Sequence, residues 1–293
     1  MPGPLASTPG KCYSSDPIVR HSVCLRPNCR STGAPSEANP FLIGLLGAAV
    51  ANAQTPVPQI AFDSVPDAIK MPKDLYLGEA SGVAVNSKGH VFVFSRGSTT
   101  GPAYAAAAAQ LLEFDENGRF VCEIGKSLYA WPFAHTVGVD RDDNIWCTDK
   151  GSDDVVKFSP EGRVLMVLGR KQEASDEDTA PLKHPKPQLP AEDGRFRQVT
   201  DVTWDPAGNI FISDGYINSR VAKVDKDGNW VMSWGTHGDK PGEFNTPRSI
   251  AADAQGNGYV VDRFNRRIQV FDGSGTFCAR SRSTCRSTRR QSR

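Results

Sequence analysis

Five side chains of this 293-residue chain have types and relative positions suited to chemistry: His135, Tyr216, Arg96, Arg248 and Arg263. A neutral imidazole can ligate a metal or accept a proton. A phenol can serve as a base when neighbouring cations pull its pKa down from about 10. Guanidinium groups grip carboxylates through paired hydrogen bonds. These residues lie far apart along the chain, so repeated structural elements must bring them together.

Such elements are legible. Four stretches share one register: SGVAVNSKGHVFVFSR (81–96), HTVGVDRDDNIWCTDK (135–150), TDVTWDPAGNIFISDG (200–215) and RSIAADAQGNGYVVDR (248–263). Each reads as an apolar strand, a turn carrying Asp, Gly or Asn, and a second strand rich in β-branched and aromatic residues. A third strand and a further turn follow in LLEFDENGRF, VVKFSPEGRV, VAKVDKDGNW and IQVFDGSGTF. A fourth strand usually ends in Gly. The turn residues Asp140, Asp205 and Asp253 are expected to cap their turns with side-chain-to-backbone hydrogen bonds. Four antiparallel strands recurring every 48 to 65 residues make one blade of a β-propeller. The fold class is therefore all-β, with four recognisable four-stranded blades. Helical periodicity is confined to AYAAAAAQ (103–110), long enough for one turn inside a loop.

Radial symmetry turns register into location. The first strand of each blade lines the central channel, so Ser81, His135, Thr200 and Arg248 open at one mouth. The second strand returns antiparallel and places Arg96, Lys150, Gly215 with Tyr216, and Arg263 beside them. Such a concave opening is a common place for ligands.

Charge excludes one partner class. The formal net charge of +1 hides six arginines in 280–293 and a body, 54–279, with 24 basic and 31 acidic groups. An acidic body argues against nucleic acid, which needs clustered Lys and Arg. No run of 18 apolar residues is present, so no membrane-spanning helix is expected. Phe41 to Ala53, FLIGLLGAAVANA, matches an apolar signal segment with an A-x-A cleavage site and predicts a secreted or periplasmic product. Three domains follow: a leader at 1–53, a propeller at 54–277 and a disordered basic tail at 278–293, the last also readable as a shifted coding frame. Lys171–Arg195, with four prolines, reads as a loop between the second and third blades. The seven cysteines include no CxxC pair. Cys122, Cys147 and Cys278 fall in patterned sequence and are expected as buried free thiols.

The line FNTPRSIAADAQGNGYVVDRFNRRIQVFD (244–272) resembles the NHL-repeat propellers. With FAHTVGVDRDDNIWCTD and VTDVTWDPAGNIFISDGYINSRVAKV it is similar to peptidyl-α-hydroxyglycine α-amidating lyase, over about residues 76–277. The resemblance implies six blades, so the chain reads as a truncated six-bladed propeller. Closing four blades into a ring would need edge pairing from AFDSVPDAIKMPKDLYL (61–77) or blades from a partner. The implied reaction is that of a carbon–nitrogen lyase, splitting a carbinolamide into an amide and glyoxylate. The resemblance makes His135 a zinc ligand, Tyr216 the base, Arg96 catalytic, and Arg263 substrate-binding. Arg248 stands in Pro247-Arg248-Ser249, where the resemblance implies a second zinc histidine; there it reads either as a lost metal site or as a clamp for an anion such as a substrate carboxylate. A guanidinium offers no lone pair to a metal. Ile217 stands where a disulfide cysteine is implied. Zinc is the implied cofactor, calcium is not expected, and the partner is a small-molecule or peptide substrate with a carboxylate. A non-catalytic NHL platform binding a peptide, protein or carbohydrate is the alternative.

Overall fold

The computed structural model describes residues 61–97, 109–171 and 190–282. The leader, including 41–53, the Ala-rich stretch up to residue 108, most of the 171–195 loop and residues 283–293 lie outside the described residues. The chain divides between Val57 and Pro58, and everything below concerns the second unit.

Sixteen strands form four separate antiparallel sheets of consecutive strands. Blade 1 holds β1 (Ala80–Val85), β2 (Val91–Ser95), β3 (Gln110–Phe114) and β4 (Phe120–Ile124). Blade 2 holds β5 (Ala134–Val139), β6 (Ile145–Asp149), β7 (Asp154–Phe158) and β8 (Val164–Gly169). Blade 3 comprises β9 (Asp201–Trp204), β10 (Ile210–Asp214), β11 (Arg220–Val224) and β12 (Trp230–Trp234). Blade 4 comprises β13 (Pro247–Ala252), β14 (Gly258–Asp262), β15 (Arg267–Phe271) and β16 (Phe277–Arg282).

The turns between strands are built as expected. Asp140 Oδ1 accepts from the amides of Asp142 and Asn144, Asp205 Oδ1 from Asn209, and Asp253 Oδ1 from Gln255 and Asn257. Each carboxylate satisfies backbone donors that the hairpin would leave unpaired.

Consecutive blades pack face to face. Phe92, Phe94, Leu111 and Ile124 of blade 1 meet Ile145, Cys147, Val156 and Phe158 of blade 2. Trp131 wedges between them, edge-on to Phe94 and Phe158. Trp146 and Val155 meet Ile210, Ile212 and Val224 across the next interface. Phe211 and Val221 meet Ile250, Val260 and Phe271 across the third. Burying each such side chain contributes about 1.5–3 kcal/mol. At the hub, a Cβ on Gly82 would lie 2.7 Å from the Val137 amide nitrogen, so only glycine lets β1 and β5 approach this closely.

The strands between neighbours, β6 and β10, are buried at every position, whereas β14 alternates and exposes Tyr259 and Val261. That alternation marks a sheet packed on one face only. The open face of blade 1 is covered differently. Ile69, Met71 and Leu75 pack against Val93, Leu112 and Phe114. The segment 61–77 makes one parallel bridge, Lys70 to Arg119, and no strand. It therefore caps the sheet face with apolar side chains and supplies no edge strand. Among the described residues no hydrophobic cluster joins blade 4 to blade 1.

Two expectations need correction. The propeller continues past Phe277, because β16 pairs with β15 through Arg282. An outer strand needs backbone partners and tolerates polar side chains, so CARSR extends the sheet despite lacking apolar residues. For the same reason Cys278 is exposed on this strand; Cys147 is buried and Cys122 lies between, all three as free thiols.

Candidate functional site

The first strand of three blades carries the same irregularity at its start. Pairing slips between Ala80 and Gly82, between Ala134 and Thr136, and between Pro247 and Ser249. Ser81, His135 and Arg248 are the residues skipped, and a bulge of this kind re-aims a side chain out of the regular alternation. In blade 3 the corresponding Thr200 precedes β9, and its amide donates to Ser213.

His135 is 4% exposed. Its Nδ1 donates to the Thr200 carbonyl at 2.5 Å, which fixes the tautomer and leaves the lone pair on Nε2. Nε2 is buried and has no hydrogen-bond partner. Burial first, then the charges of Arg248, Arg96 and Lys150, hold the imidazole down to about 3 against the pull of the Thr200 carbonyl. His135 is neutral throughout the physiological range.

Tyr216 follows Gly215 at the end of β10, and its ring stands edge-on to His135 with centroids 5.9 Å apart. Arg248 Nη1 donates to the Tyr216 hydroxyl oxygen. Gly215 is required here: a Cβ would lie 1.9 Å from the Pro247 carbonyl oxygen. Thr200 Oγ1 donates to that same oxygen at 2.9 Å, so blades 3 and 4 are locked together beneath the tyrosine.

Lys150 directly follows the second strand of blade 2. Its ammonium sits 3.7 Å from the Tyr216 ring centroid and 5.5 Å from that of Phe133, a cation–π arrangement. Burial, then Arg248, Arg96 and Arg263, lower its pKa to about 8, with Asp153 opposing. Arg96 stacks over Phe133 at 4.0 Å, donates through Nε to the Ala134 carbonyl and pairs with Glu79 at 2.7 Å. Arg263 is exposed and lies over Phe264. It contributes to the field at Lys150 from the rim.

The register reading thus brings His135, Tyr216, Arg96 and Arg248 to one place, with Arg263 at the periphery. What it gave no role is Lys150, at the centre of the cluster. The signal was present, since Lys150 holds the same register position as Arg96 and Arg263. The implied zinc set does not fit. Among the described residues no group of three or more His, Cys, Asp or Glu is placed to hold a metal. Arg248 offers only donors where a ligand would stand. Of the two implied ligand positions among the described residues, His135 has the chemistry of a ligand and Arg248 does not.

Four successive four-stranded blades whose inner-strand ends converge on one cationic mouth define a β-propeller. A 32% identical region covers 73% of this chain and 23% of peptidyl-glycine alpha-amidating monooxygenase from Mus musculus. The probable peptidyl-alpha-hydroxyglycine alpha-amidating lyase of Caenorhabditis elegans is 29% identical over 67% of this chain and 56% of its own length. NHL repeat-containing protein 3 of Mus musculus is 29% identical over 68% of this chain and 53% of its own length. A solved streptogramin B lyase structure shares the fold at a TM-score of 0.50, 15% identity, and coverage of 72% of this chain and 57% of that one. No protein-family profile matches. The chain is an NHL-repeat β-propeller resembling peptidyl-α-hydroxyglycine α-amidating lyase, and it spans about half, or less, of the length of these relatives.

Proposed function

We propose that this chain is an exported lyase-like propeller. Its mouth would cleave the N–C bond of a peptidyl-α-hydroxyglycine-type carbinolamide, giving an amide and glyoxylate. The observation that carries the reading is the meeting of Tyr216, His135 and Arg248, from three blades, within one hydrogen-bonded and ring-stacked cluster. The names of relatives that include amidating lyases support the same chemistry, and the apolar segment at 41–53 supports export.

Each group has a defined role. Arg248, Arg96 and Arg263 receive the substrate carboxylate. Tyr216 takes the proton of the carbinol hydroxyl. As that proton passes to the phenolate oxygen of Tyr216, the electron pair left on the carbinol oxygen forms the new C=O bond, the C–N bond breaks with its pair on nitrogen, and Tyr216 returns the proton to the amide nitrogen. Neutral His135 is too weakly basic to be the base; its Nε2 lone pair orients a hydroxyl proton. No step is assigned to zinc.

The test is glyoxylate release from an N-acyl-α-hydroxyglycine. Tyr216→Phe should slow release by about 10²–10⁴-fold, the range for a general base. Equal rates in variant and parent would contradict the assignment. The presence of Arg248 at an implied ligand position, together with relatives named only for their NHL repeats, favours a second reading. In it the mouth binds a peptide, protein or carbohydrate without turnover, and wild-type binding with no release would identify it.

A further inference from the structure

Lys150 is unusual among the cations of the mouth. Arg96 has Glu79 as a partner at 2.7 Å. The Lys150 ammonium makes no ion pair and no hydrogen bond among the described residues, and its Nζ faces two aromatic rings. Around it stand Arg248, Arg96 and Arg263, all of which act on its charge. An amine held against aromatic faces, with guanidinium groups alongside, is arranged to meet a molecule carrying both a carboxylate and a carbonyl.

We propose that the mouth is a covalent binding site for small 2-oxo acids, in which Lys150 forms an imine with the carbonyl carbon while Arg248 and Arg96 hold the carboxylate. The proposal goes beyond the lyase reading and stands without it, since it needs only the amine and the guanidinium groups. The class includes glyoxylate, so a lyase at this mouth would also be held by its own product.

The step balances without a further reagent. The neutral amine's lone pair attacks the carbonyl carbon, and the C=O π pair moves to oxygen. The nitrogen loses its protons to that oxygen, directly or through solvent. The oxygen leaves as water and the C=N bond remains. Neutral amine is available: a lysine at about 8 instead of 10.5 has a neutral fraction about a hundredfold larger near pH 8. Desolvated lysines beside other cations are known to act as nucleophiles in this way.

Trapping tests the proposal. The full chain is incubated with pyruvate and sodium cyanoborohydride at pH 8, then analysed by intact mass and peptide mapping. One adduct is expected, on Lys150, forming about tenfold or more faster than with acetone, which lacks the carboxylate. Lys150→Arg should lose it while keeping the melting temperature. If that variant misfolds, the wild-type peptide map decides alone. Adducts spread evenly over lysines, no adduct at all, or equal labelling by acetone would overturn the proposal. Glyoxylate release is measured in parallel. An adduct without release removes the lyase reading and leaves this site standing, whereas release without an adduct does the reverse.

Discussion

Blades 3 and 4 close the end of their second strand on an ion pair, and blade 2 closes the same place on two acids. In blade 3, Asp214 faces Arg220 across the β10–β11 ladder; in blade 4, Asp262 faces Arg267 across β14–β15. At the matching place in blade 2, Asp149 faces Asp154, and in blade 1 Ser95 faces Gln110. The aspartates that end the second strands of blades 2, 3 and 4 act alike. Each accepts the amide of the linker entering its own blade, from Phe133, Arg197 or Asn245. What differs is the partner. Arg267 spends its guanidinium on Asp262 and on the carbonyls of Asp239, Lys240 and Glu243, tying down the linker. Asp154 instead has a buried Oδ1 with no partner. The lesson is that the amide-accepting carboxylate sets blade geometry, while the residue opposite it decides charge and rigidity.

The largest expected effect comes from breaking the ion pair. Arg267→Met should cost about 3–5 kcal/mol, the range for removing one partner of a buried pair, read from urea denaturation. Asp154→Asn is the opposite manipulation. It removes the second buried charge and should stabilise the chain at pH 8, where both acids must otherwise ionise against their burial.

The same variant sharpens a pH profile. Burial raises Asp149 and Asp153 to about 7, and burial with the neighbouring acids raises Asp154 as well. Between about pH 4 and 7 the folded chain holds protons that the unfolded chain has released, so stability falls as pH rises through that window. His135, held down to about 3, acts oppositely below its ordinary 6.5, one proton against three. The melting temperature should therefore be higher at pH 5 than at pH 8, and Asp154→Asn should shrink the gap. An unchanged gap would show that these acids do not titrate in the window.

Much of this was legible from repetition alone. The four blades, the turn-capping aspartates and the convergence of His135, Tyr216, Arg96 and Arg248 follow from a shared register, because radial packing puts equal positions at equal radii. Other features depend on which atoms meet. The tautomer of His135 is set by the carbonyl of Thr200, 65 residues away. Lys150 gains its character from a ring in the next blade. The strand after Phe277 is polar because an outer strand has no core to fill, so a pattern of apolar residues ends too early there. The Asp149–Asp154 contrast is visible when the repeats are laid side by side, yet it acquires meaning only once both residues prove buried.

The central claim is that strand ends from separate blades form one binding unit. A double-mutant cycle of Tyr216→Phe and Arg248→Met, read as calorimetric affinity for an N-acylglycine carboxylate, tests it most directly. A coupling of about 0.5–3 kcal/mol is expected for residues that share a ligand. Additive effects, or no binding to the wild-type chain, would contradict it.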